Sequence, residues 1–296
     1  MATPWGSPPL AMALGAAFAL TVGNPFPSAT SRWSHKLLQA SVVGLGFGMP
    51  LGAVIAAGGA GIGYTVAGIA LALALGLLIG RRLGVDEETA LLITAGTSIC
   101  GGSAIAAIGP AIGARSESMS VALATVFVLN GVALYLFPVI GAWVGLGPEQ
   151  FAVWAAVAIH DTSSVVGAAA AYDPRALETA TVLKLARSLW IVPLALGAAH
   201  WARRRSAAMG TVRLRPPWFI AFFVLAALAR SLAPAAAEPV FDGLARAARI
   251  GLTLTLYLIG ALLTRETLRA VGVRPLIQGV CLWAAMGAIM LVWVLA

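Results

Sequence analysis

The sequence predicts an all-α polytopic membrane protein, and three observations carry that prediction. Of its 296 residues, 60% are hydrophobic and only 10% are charged, whereas a soluble globular domain carries about 25% charged residues. Mean hydropathy is +0.93. Apolar segments that approach or reach the length needed to cross a bilayer follow one another along the whole chain. We therefore predict about ten transmembrane helices in a single domain over residues 1–296.

The predicted segments are separated by short polar or basic loops. Their approximate bounds are 8–23, 37–57, 62–80, 90–113, 119–144, 151–172, 178–201, 217–233, 244–264 and 275–295. The first segment is short and ends at Asn24-Pro25, because a proline inside a helix lacks the N–H of a helical hydrogen bond. Segments 24–145 and 151–296 are candidates for internal repeats, supported only by similar spacing of glycines in 44–72 and 255–285.

The basic residues orient this topology. If all ten segments cross, twelve basic residues share one side: Arg32, Lys36, Arg81, Arg82, Arg203, Arg204, Arg205, Arg213, Arg215, Arg265, Arg269 and Arg274. Five lie on the other: Arg115, Arg175, Arg230, Arg246 and Arg249. The positive-inside rule makes the richer side cytoplasmic and places both termini outside a bacterial inner (plasma) membrane. It also explains the formal charge of +8 better than nucleic-acid binding does.

Neither a disulfide framework nor a metal site is expected. The two cysteines, Cys100 and Cys281, both fall within apolar segments and have no zinc-ligand spacing. The segment from Leu10 lacks the basic residues that precede the core of a cleaved signal peptide. We expect no cofactor and no metal.

The fourth segment is interrupted at its centre. There the chain reads Gly96-Thr97-Ser98-Ile99-Cys100-Gly101-Gly102-Ser103, with three glycines and three hydroxyls where a lipid-facing helix carries Leu, Ile and Val. Loosened backbone within a bilayer needs protein or a wet cavity around it, and broken helices at the midplane form binding sites in many transporters. Close helix packing through small residues is the alternative.

Polar groups in the next three segments lie at a similar depth. A residue ten positions from a helix end lies about 15 Å deep, near the centre of a hydrocarbon core of about 30 Å. This places Gly101, Asn130, His160 and Asp161 near the midplane, with Arg187 within about one turn and Lys184 a turn further out. Charge at the bilayer centre costs at least about 2.5–3.5 kcal/mol, so these groups should face one another or water.

Each of these residues also has a structural interpretation. Lys184 can snorkel to the surface, and Arg187 can form an ion pair with Asp161. Cys100 can be a packing residue. The Ser and Thr hydroxyls can bond back to their own helices, Asn130 can bridge helices, and His160 can pack as a neutral side chain or carry protons. Lys184 and Arg187 share a helix face, and their mutual repulsion favours an anion between them.

Four stretches of the chain resemble a known family. They are Gly96-Thr97-Ser98-Ile99-Cys100-Gly101-Gly102-Ser103-Ala104-Ile105-Ala106-Ala107, Ile159-His160-Asp161-Thr162-Ser163-Ser164-Val165-Val166-Gly167-Ala168, Lys184-Leu185-Ala186-Arg187-Ser188-Leu189-Trp190-Ile191-Val192-Pro193-Leu194, and Arg274-Pro275-Leu276 with Gln278-Gly279. They are similar to the YeiH-type membrane proteins, which are often called sulfate exporters. The resemblance implies a carrier fold related to cation/proton antiporters and anion symporters, with inverted repeats, discontinuous helices at the midplane and elevator-like movement.

We therefore expect a secondary active transporter for a small anion, sulfate-like or sulfonate-like, acting as an exporter by alternating access. The expected substrate-binding residues are Gly96, Thr97, Ser98, Cys100, Gly101, Gly102, Ser103, Asn130, Thr162, Ser163, Ser164, Lys184 and Arg187; His160 and Asp161 are expected to couple transport to a proton or sodium ion. Partners are the substrate, the bilayer and, in a homodimer, a second copy of the chain; nucleic acid is not one.

Three alternatives remain open at this point. One is a sodium- or proton-coupled carrier of another solute, such as a carboxylate. Another is an intramembrane enzyme using His160 with Ser163 or Ser164, against which stands the lack of a Gly-x-Ser-x-Gly or His-Glu-x-x-His signature. The third is a channel. No catalytic residue is assigned.

Overall fold

A computed structural model describes residues 8–60, 62–205 and 218–296, and these residues contain helices but no strands. The helices are α1 (Pro8–Thr21), α2 (Pro27–Gly46), α3 (Leu51–Ala60), α4 (Ile62–Arg82), α5 (Glu87–Ser98), α6 (Gly102–Ile112), α7 (Ser116–Val144), α8 (Pro148–Ala158), α9 (Thr162–Tyr172), α10 (Pro174–Ser188), α11 (Ile191–Arg205), α12 (Trp218–Leu232), α13 (Glu238–Gly260), α14 (Arg265–Ala270) and α15 (Val273–Leu295). The predicted all-helical membrane fold is confirmed.

Several of these helices are long and apolar enough to cross a bilayer. Within the described residues they are α4, α7, α15 and the segment Pro174–His200, which joins α10 to most of α11. The predicted segment 37–57 does not form one straight helix, because α2 and α3 meet at an angle of 109°. Pro50 lies at that bend, and the chain turns there because proline cannot donate a helical hydrogen bond.

The fourth predicted segment forms a helical hairpin, here called hairpin 1 (α5 and α6). Its two ends lie side by side. Arg115, just after α6, has Nη2 2.7 Å from Oδ1 of Asp86, and its backbone N–H donates to Oε2 of Glu88 at 3.0 Å. Because the residues that precede α5 contact those that follow α6, the segment leaves on the face where it entered.

The sixth predicted segment forms hairpin 2 (α8 and α9) in the same way. The ring of Tyr172 at the end of α9 stacks on Phe151 of the first turn of α8, with centroids 3.8 Å apart. The Tyr172 hydroxyl donates to the carbonyl of Leu146 at 2.5 Å. Because α7 crosses between the two hairpins, they enter from opposite faces: the first face holds Asp86 and Arg115, and the second face holds Leu146 and Tyr172.

Two of the ten predicted crossings, 90–113 and 151–172, are therefore corrected to re-entrant hairpins. Each half has 11 or 12 residues, which is about 17 Å and roughly half the hydrocarbon thickness. A run of about 25 apolar residues has the same length whether it crosses or turns back halfway, so length alone could not separate the two. The predicted discontinuity within Thr97–Gly102 is confirmed, since α5 ends at Ser98 and α6 begins at Gly102.

Replacing these two crossings with hairpins also changes the face on which one basic residue, Arg115, lies. Arg115 joins Arg81 and Arg82 on the first face, because it lies at the base of hairpin 1. The first face thus becomes still richer in basic residues than the crossing-only topology predicted. Arg213 and Arg215, like the N-terminal residues 1–7, lie outside the described residues.

Contacts place the remaining elements between the two faces. The backbone N–H of Leu51, the first residue of α3, donates to Oγ of Ser231 at 2.7 Å, so α12 ends beside the bend between α2 and α3. Nε2 of Gln150 at the start of α8 donates to the carbonyl of Val294 at 3.0 Å, so α15 also ends on the second face. Consequently α13 ends, and α15 begins, on the first face.

The helices form two packed groups. The scaffold consists of α1, α2, α12 and α13, which pack on one another; a Cβ at Gly44 would lie only 2.7 Å from that of Ala248, so α2 and α13 approach closely. The core consists of α4, both hairpins, α7, α10, α11 and α15. Gln278 of α15 links the core helices α4 and α5, because its Nε2 donates to the carbonyls of Gly76 and Ala90, each at 3.1 Å.

Candidate functional site

The tips of the two hairpins meet inside the core. The tip of hairpin 1 is Ile99–Gly101, and the tip of hairpin 2 is Ile159–Asp161. Gly101 has φ +65° and ψ −124°, a conformation that side chains other than glycine's rarely adopt. A Cβ there would lie 3.3 Å from both Asp161 Cβ and Val126 Cγ1. Glycine is therefore needed twice, for the backbone turn and for the close approach of the other hairpin.

The carbonyl ends of α5 and α8 are capped by two buried cations. Lys184, which is 0% exposed, donates through Nζ to the carbonyls of Ile159 at 2.7 Å and Ala156 at 3.2 Å. Arg187, which is 1% exposed, donates through Nε to the carbonyl of Ser98 at 2.7 Å. Positive charge at a helix C-terminus compensates both the unpaired carbonyls and the helix dipole.

Arg187 also connects one hairpin to the other. Its Nη1 donates to the carbonyl of Val157 at 2.7 Å, so a single guanidinium holds the ends of α5 and α8 together. The planar fork of arginine suits such a bridge, whereas a lysine ammonium cannot reproduce it. The predicted depth of both cations is consistent with this position, but neither snorkelling nor an ion pair with Asp161 is what the structure shows.

The N-termini of the other two half-helices, α6 and α9, face a cavity. The first turns of α6 and α9 both start at the tips, and their leading N–H groups have no partner within their own helix. Thr162, only 8% exposed, lines the cavity, and its hydroxyl has no hydrogen-bond partner among the described residues. Two partly positive helix ends and an unpaired hydroxyl thus converge at one place.

This cavity has a volume of about 530 Å³ and lies between the core and the scaffold. The core contributes Cys100, Gly102, Ser103, Ala107, Phe127, Asp161, Thr162, Ser163, Ser188 and Ile191, and the scaffold with its following loop contributes Ser34, His35, Leu38, Gln39, Trp218, Phe219, Ile259, Leu262 and Leu263. The lining residues Trp218 and Phe219 of α12 and Ile259 of α13 lie at the first-face ends of their helices. The cavity therefore extends from the hairpin tips towards the first face.

Asp161 already occupies the N-terminus of α9. Its Oδ2 accepts from the backbone N–H of Ser163 at 3.0 Å and from the Ser163 hydroxyl. Oδ1 of Asn130 on α7 accepts from the Asp161 N–H at 3.2 Å, which fixes the tip against α7. The carboxylate therefore takes donors that an external anion would also use.

A second set of polar atoms lies buried behind the tips. Nδ2 of Asn130, both ring nitrogens of His160 and Oγ of Ser164 are buried without a hydrogen-bond partner among the described protein atoms. Buried polar groups are nearly always satisfied by protein or ordered water. This region is therefore a place where water or an ion would be held.

The structure divides the predicted substrate-binding residues into two sets. Cys100, Gly102, Ser103, Thr162 and Ser163 line the cavity, and Gly101 shapes the tip beside them. The following predicted residues do not line it: Gly96, Thr97, Ser98, Asn130, Ser164, Lys184 and Arg187. On α5 the hydroxyls of Thr97 and Ser98 bond back to the carbonyls of Ile93 and Ala95. Of the predicted coupling residues, Asp161 lines the cavity and His160 does not.

Sequence reasoning missed the scaffold wall of the cavity. Ser34, His35 and Gln39 lie in α2, which starts at Pro27, ten residues before the predicted segment. Their spacing places polar groups on one side of a helix turn, and this was the available signal. Phe127, Ser188 and Trp218 carry no such signal, because each is an ordinary residue of an apolar segment.

Comparisons with known proteins agree with the resemblance in the motifs. The family model described as conserved hypothetical protein 698 matches residues 6–291. A UPF0324 membrane protein of Bdellovibrio bacteriovorus is 47% identical over 98% of this chain and 91% of its own, and one of Porphyromonas gingivalis is 50% identical over 95% and 84%. No solved structure matches the chain significantly. The chain therefore belongs to the YeiH family, that of conserved hypothetical protein 698 and the UPF0324 membrane proteins.

Proposed function

We propose that this protein is a secondary active transporter for a small anion. The observation that carries the proposal is the convergence of two half-helix N-termini, from hairpins of opposite faces, at the inner end of one cavity. Each such end carries about half a positive charge and N–H donors without partners in their own helix, although at α9 the Ser163 N–H donates to Asp161. The hydroxyls of Ser103 and Thr162 line the same place.

The buried cations strengthen this electrostatic arrangement indirectly. Lys184 and Arg187 cap the carbonyl ends of α8 and α5, so the negative ends of these half-helices are compensated on the side away from the cavity. The positive ends of α6 and α9 face the cavity, where Asp161 is the compensating group. An anion is thus attracted by backbone dipoles rather than by direct contact with the two cations.

The distribution of basic residues supports an orientation. With Arg115 on the first face, the positive-inside rule places that face in the cytoplasm, and the cavity then opens inwards. Alternating access would move the core, which carries both hairpins, past the scaffold, because the cavity lies at their boundary. A cavity open to the cytoplasm can receive an anion from that side, as the first step of export requires.

The competing functions receive less support from the geometry. An enzyme that activates Ser163 or Ser164 through His160 needs that ring in hydrogen-bond contact with a serine, whereas neither His160 nitrogen has a partner among the described residues. A channel needs a path open at both faces, whereas the cavity extends only towards the first. A proton- or sodium-coupled carrier of a carboxylate uses the same donors and stays the nearest alternative, with Asp161 and His160 as coupling groups.

Flux through reconstituted protein tests the proposal. Proteoliposomes loaded with sulfate, sulfite, taurine, a sulfonate or a short carboxylate would be assayed for efflux, with a pH gradient, a sodium gradient or neither. We expect saturable flux of at least one anion that fails in Thr162→Val and persists in Thr181→Val, whose buried threonine bonds back to Leu177 away from the cavity. Absence of flux of every anion under all three conditions would contradict the proposal.

A further inference from the structure

The cavity is larger and more apolar than an inorganic anion requires. Its volume of about 530 Å³ lies within the range of sites for small organic ligands, about 300–1,000 Å³. A single tetrahedral anion at the hairpin tips would fill only its inner end. Most of the remaining wall is apolar, including Phe127, Ile191, Trp218, Phe219, Ile259 and Leu263.

Such a wall favours a ligand with an apolar body. Apolar surface gains about 25 cal/mol per Å² when it leaves water, and an inorganic anion has no such surface to bury. The aromatic side chains Phe127, Trp218 and Phe219 come from both the core and the scaffold, so they surround the space beyond the tips from two sides.

The charge at the inner end limits the charge of the ligand. Two half-helix N-termini supply together about one positive charge, and the Asp161 carboxylate lies among them. The charges of Lys184 and Arg187 are offset in part by the carbonyl ends of α8 and α5 that they cap. Each negative charge on the ligand would be repelled by the Asp161 carboxylate at short range. A monoanion meets that repulsion once, whereas a dianion such as sulfate meets it twice.

Polar groups at the other side of the cavity limit how far the apolar body extends. Gln39 and His35 of α2 line the cavity from the scaffold. Nδ1 of His35 lies 2.8 Å from the carbonyl of Ser31 and therefore donates to it, which leaves Nε2 as an acceptor. A ligand with a second, neutral polar group at its far end would find partners there.

We propose that the ligand is an organic monoanion whose sulfonate or carboxylate head lies at the N-termini of α6 and α9 and whose apolar body fills the cavity between Phe127 and Trp218. This inference rests on the proposed anion transport and names its substrate class. It distinguishes the protein from a carrier dedicated to inorganic sulfate.

Calorimetry with a homologous series of probes tests the inference. Purified protein at pH 7 would be titrated with sulfate, methanesulfonate, propanesulfonate and hexanesulfonate. Each buried methylene contributes about 0.8 kcal/mol, so affinity should rise roughly fourfold per methylene until the cavity is filled. Sulfate should bind at least tenfold more weakly than hexanesulfonate.

Two variants locate the apolar body. Trp218→Ala should weaken hexanesulfonate about tenfold and leave methanesulfonate unchanged, because only the longer chain reaches that side chain. Trp143→Ala is the matched control, since Trp143 is 86% exposed near the second-face end of α7 and lines no part of the cavity. Equal losses in the two tryptophan variants would contradict the placement.

The outcomes distinguish this inference from the proposed anion transport on which it rests. If sulfate binds most tightly and chain length has no effect, the organic-monoanion inference is overturned while anion transport stands. If no probe binds and none is transported, the proposed function fails as well. Binding that strengthens with chain length and weakens in Trp218→Ala supports both.

Discussion

Gly101 and Asp161 lie against each other at the meeting point of two hairpins that enter from opposite faces. A Cβ at Gly101 would lie 3.3 Å from Asp161 Cβ, and both residues border the first turns of α6 and α9. The relative position of these two turns, and with it the proposed anion site, depends on a contact that leaves little room for a side chain.

Gly101→Ala should therefore reduce anion affinity at least tenfold. The change forces a strained backbone, which costs about 1–3 kcal/mol, and pushes the hairpin tips apart. Gly145→Ala is the matched control, because Gly145 also has positive φ, +75°, but ends α7 with nothing within 4 Å of its Cβ position. Calorimetric affinity and melting temperature would be measured for both. Similar melting temperatures with equal affinities would show that the tip contact does not matter for binding.

Arg187→Gln should mainly destabilise the fold. The substitution shortens the side chain and leaves the carbonyls of Ser98 and Val157 buried and unpaired, at about 1–3 kcal/mol each. We expect a clearly lower melting temperature in detergent, and a comparable loss in Arg187→Lys, whose single ammonium cannot bridge both hairpins. Exposed Arg82→Gln should unfold like the wild type.

The opposite pattern would restore a direct role in anion binding. If Arg187→Gln melts like the wild type but loses all anion affinity, the guanidinium meets the anion rather than bracing the hairpins.

Thr162→Val should weaken anion binding without weakening the fold. The hydroxyl has no partner among the residues that the structure describes, so its removal breaks no hydrogen bond there, whereas a hydrogen bond to a charged ligand contributes about 1.5–3 kcal/mol. Affinity should fall roughly ten- to a hundredfold at an unchanged melting temperature. An unchanged affinity would place the anion elsewhere in the cavity.

Acid should loosen the base of hairpin 1. Burial raises the pKa of the Asp86 carboxyl, but hydrogen bonds from Thr89 and the charge of Arg115 outweigh this and hold the pKa below its usual value. A carboxyl with a lowered folded-state pKa contributes stability above its unfolded value, about 3.9, and loses it as pH falls through the folded value.

Hydrogen exchange at the Thr89 amide, which donates to Asp86, would follow this loss. Protection should fall below about pH 4, and Asp86→Asn should show the same weakened protection at pH 7. Asp242→Asn, which removes a partner of Arg230 elsewhere, should not change it. Protection independent of both pH and Asp86 would contradict the assignment.

Much of the interior was predictable because glycines and polar residues stand out in the sequence of an apolar segment. Gly101 at a predicted midplane showed where hairpin 1 breaks, and the depth of Arg187 showed that it is buried. Its partners were not predictable, because backbone carbonyls of other helices leave no trace in residue identity. The like charges of Lys184 and Arg187 on one helix face suggested that an anion lies between them. In the structure the carbonyl groups at the ends of α8 and α5 compensate these charges instead.

The path of the chain was harder to predict than its composition. Segment 90–113 is long enough to cross the bilayer, and it is the contact of Asp86 with Arg115 that shows that it turns back. His35 lies outside the predicted segment 37–57, because Arg32 and Lys36 beside it interrupt the hydropathy of α2. Helical periodicity across that charged stretch would have been the better guide.

The central claim is that the hairpin tips form an anion site reached from the first face. The most direct measurement is labelling of Ser103→Cys, with Cys100 and Cys281 replaced by serine, using a membrane-impermeant thiol reagent in vesicles of known orientation. Ser103 of α6 is exposed and lines the cavity. The control is Ser120→Cys, because Ser120 is exposed in the first-face half of α7 and does not line the cavity. We predict that both cysteines react from the cytoplasmic side and that saturating hexanesulfonate slows only the reaction at position 103. Reaction at position 103 solely from the outside, or a rate that no bound anion changes, would contradict the account.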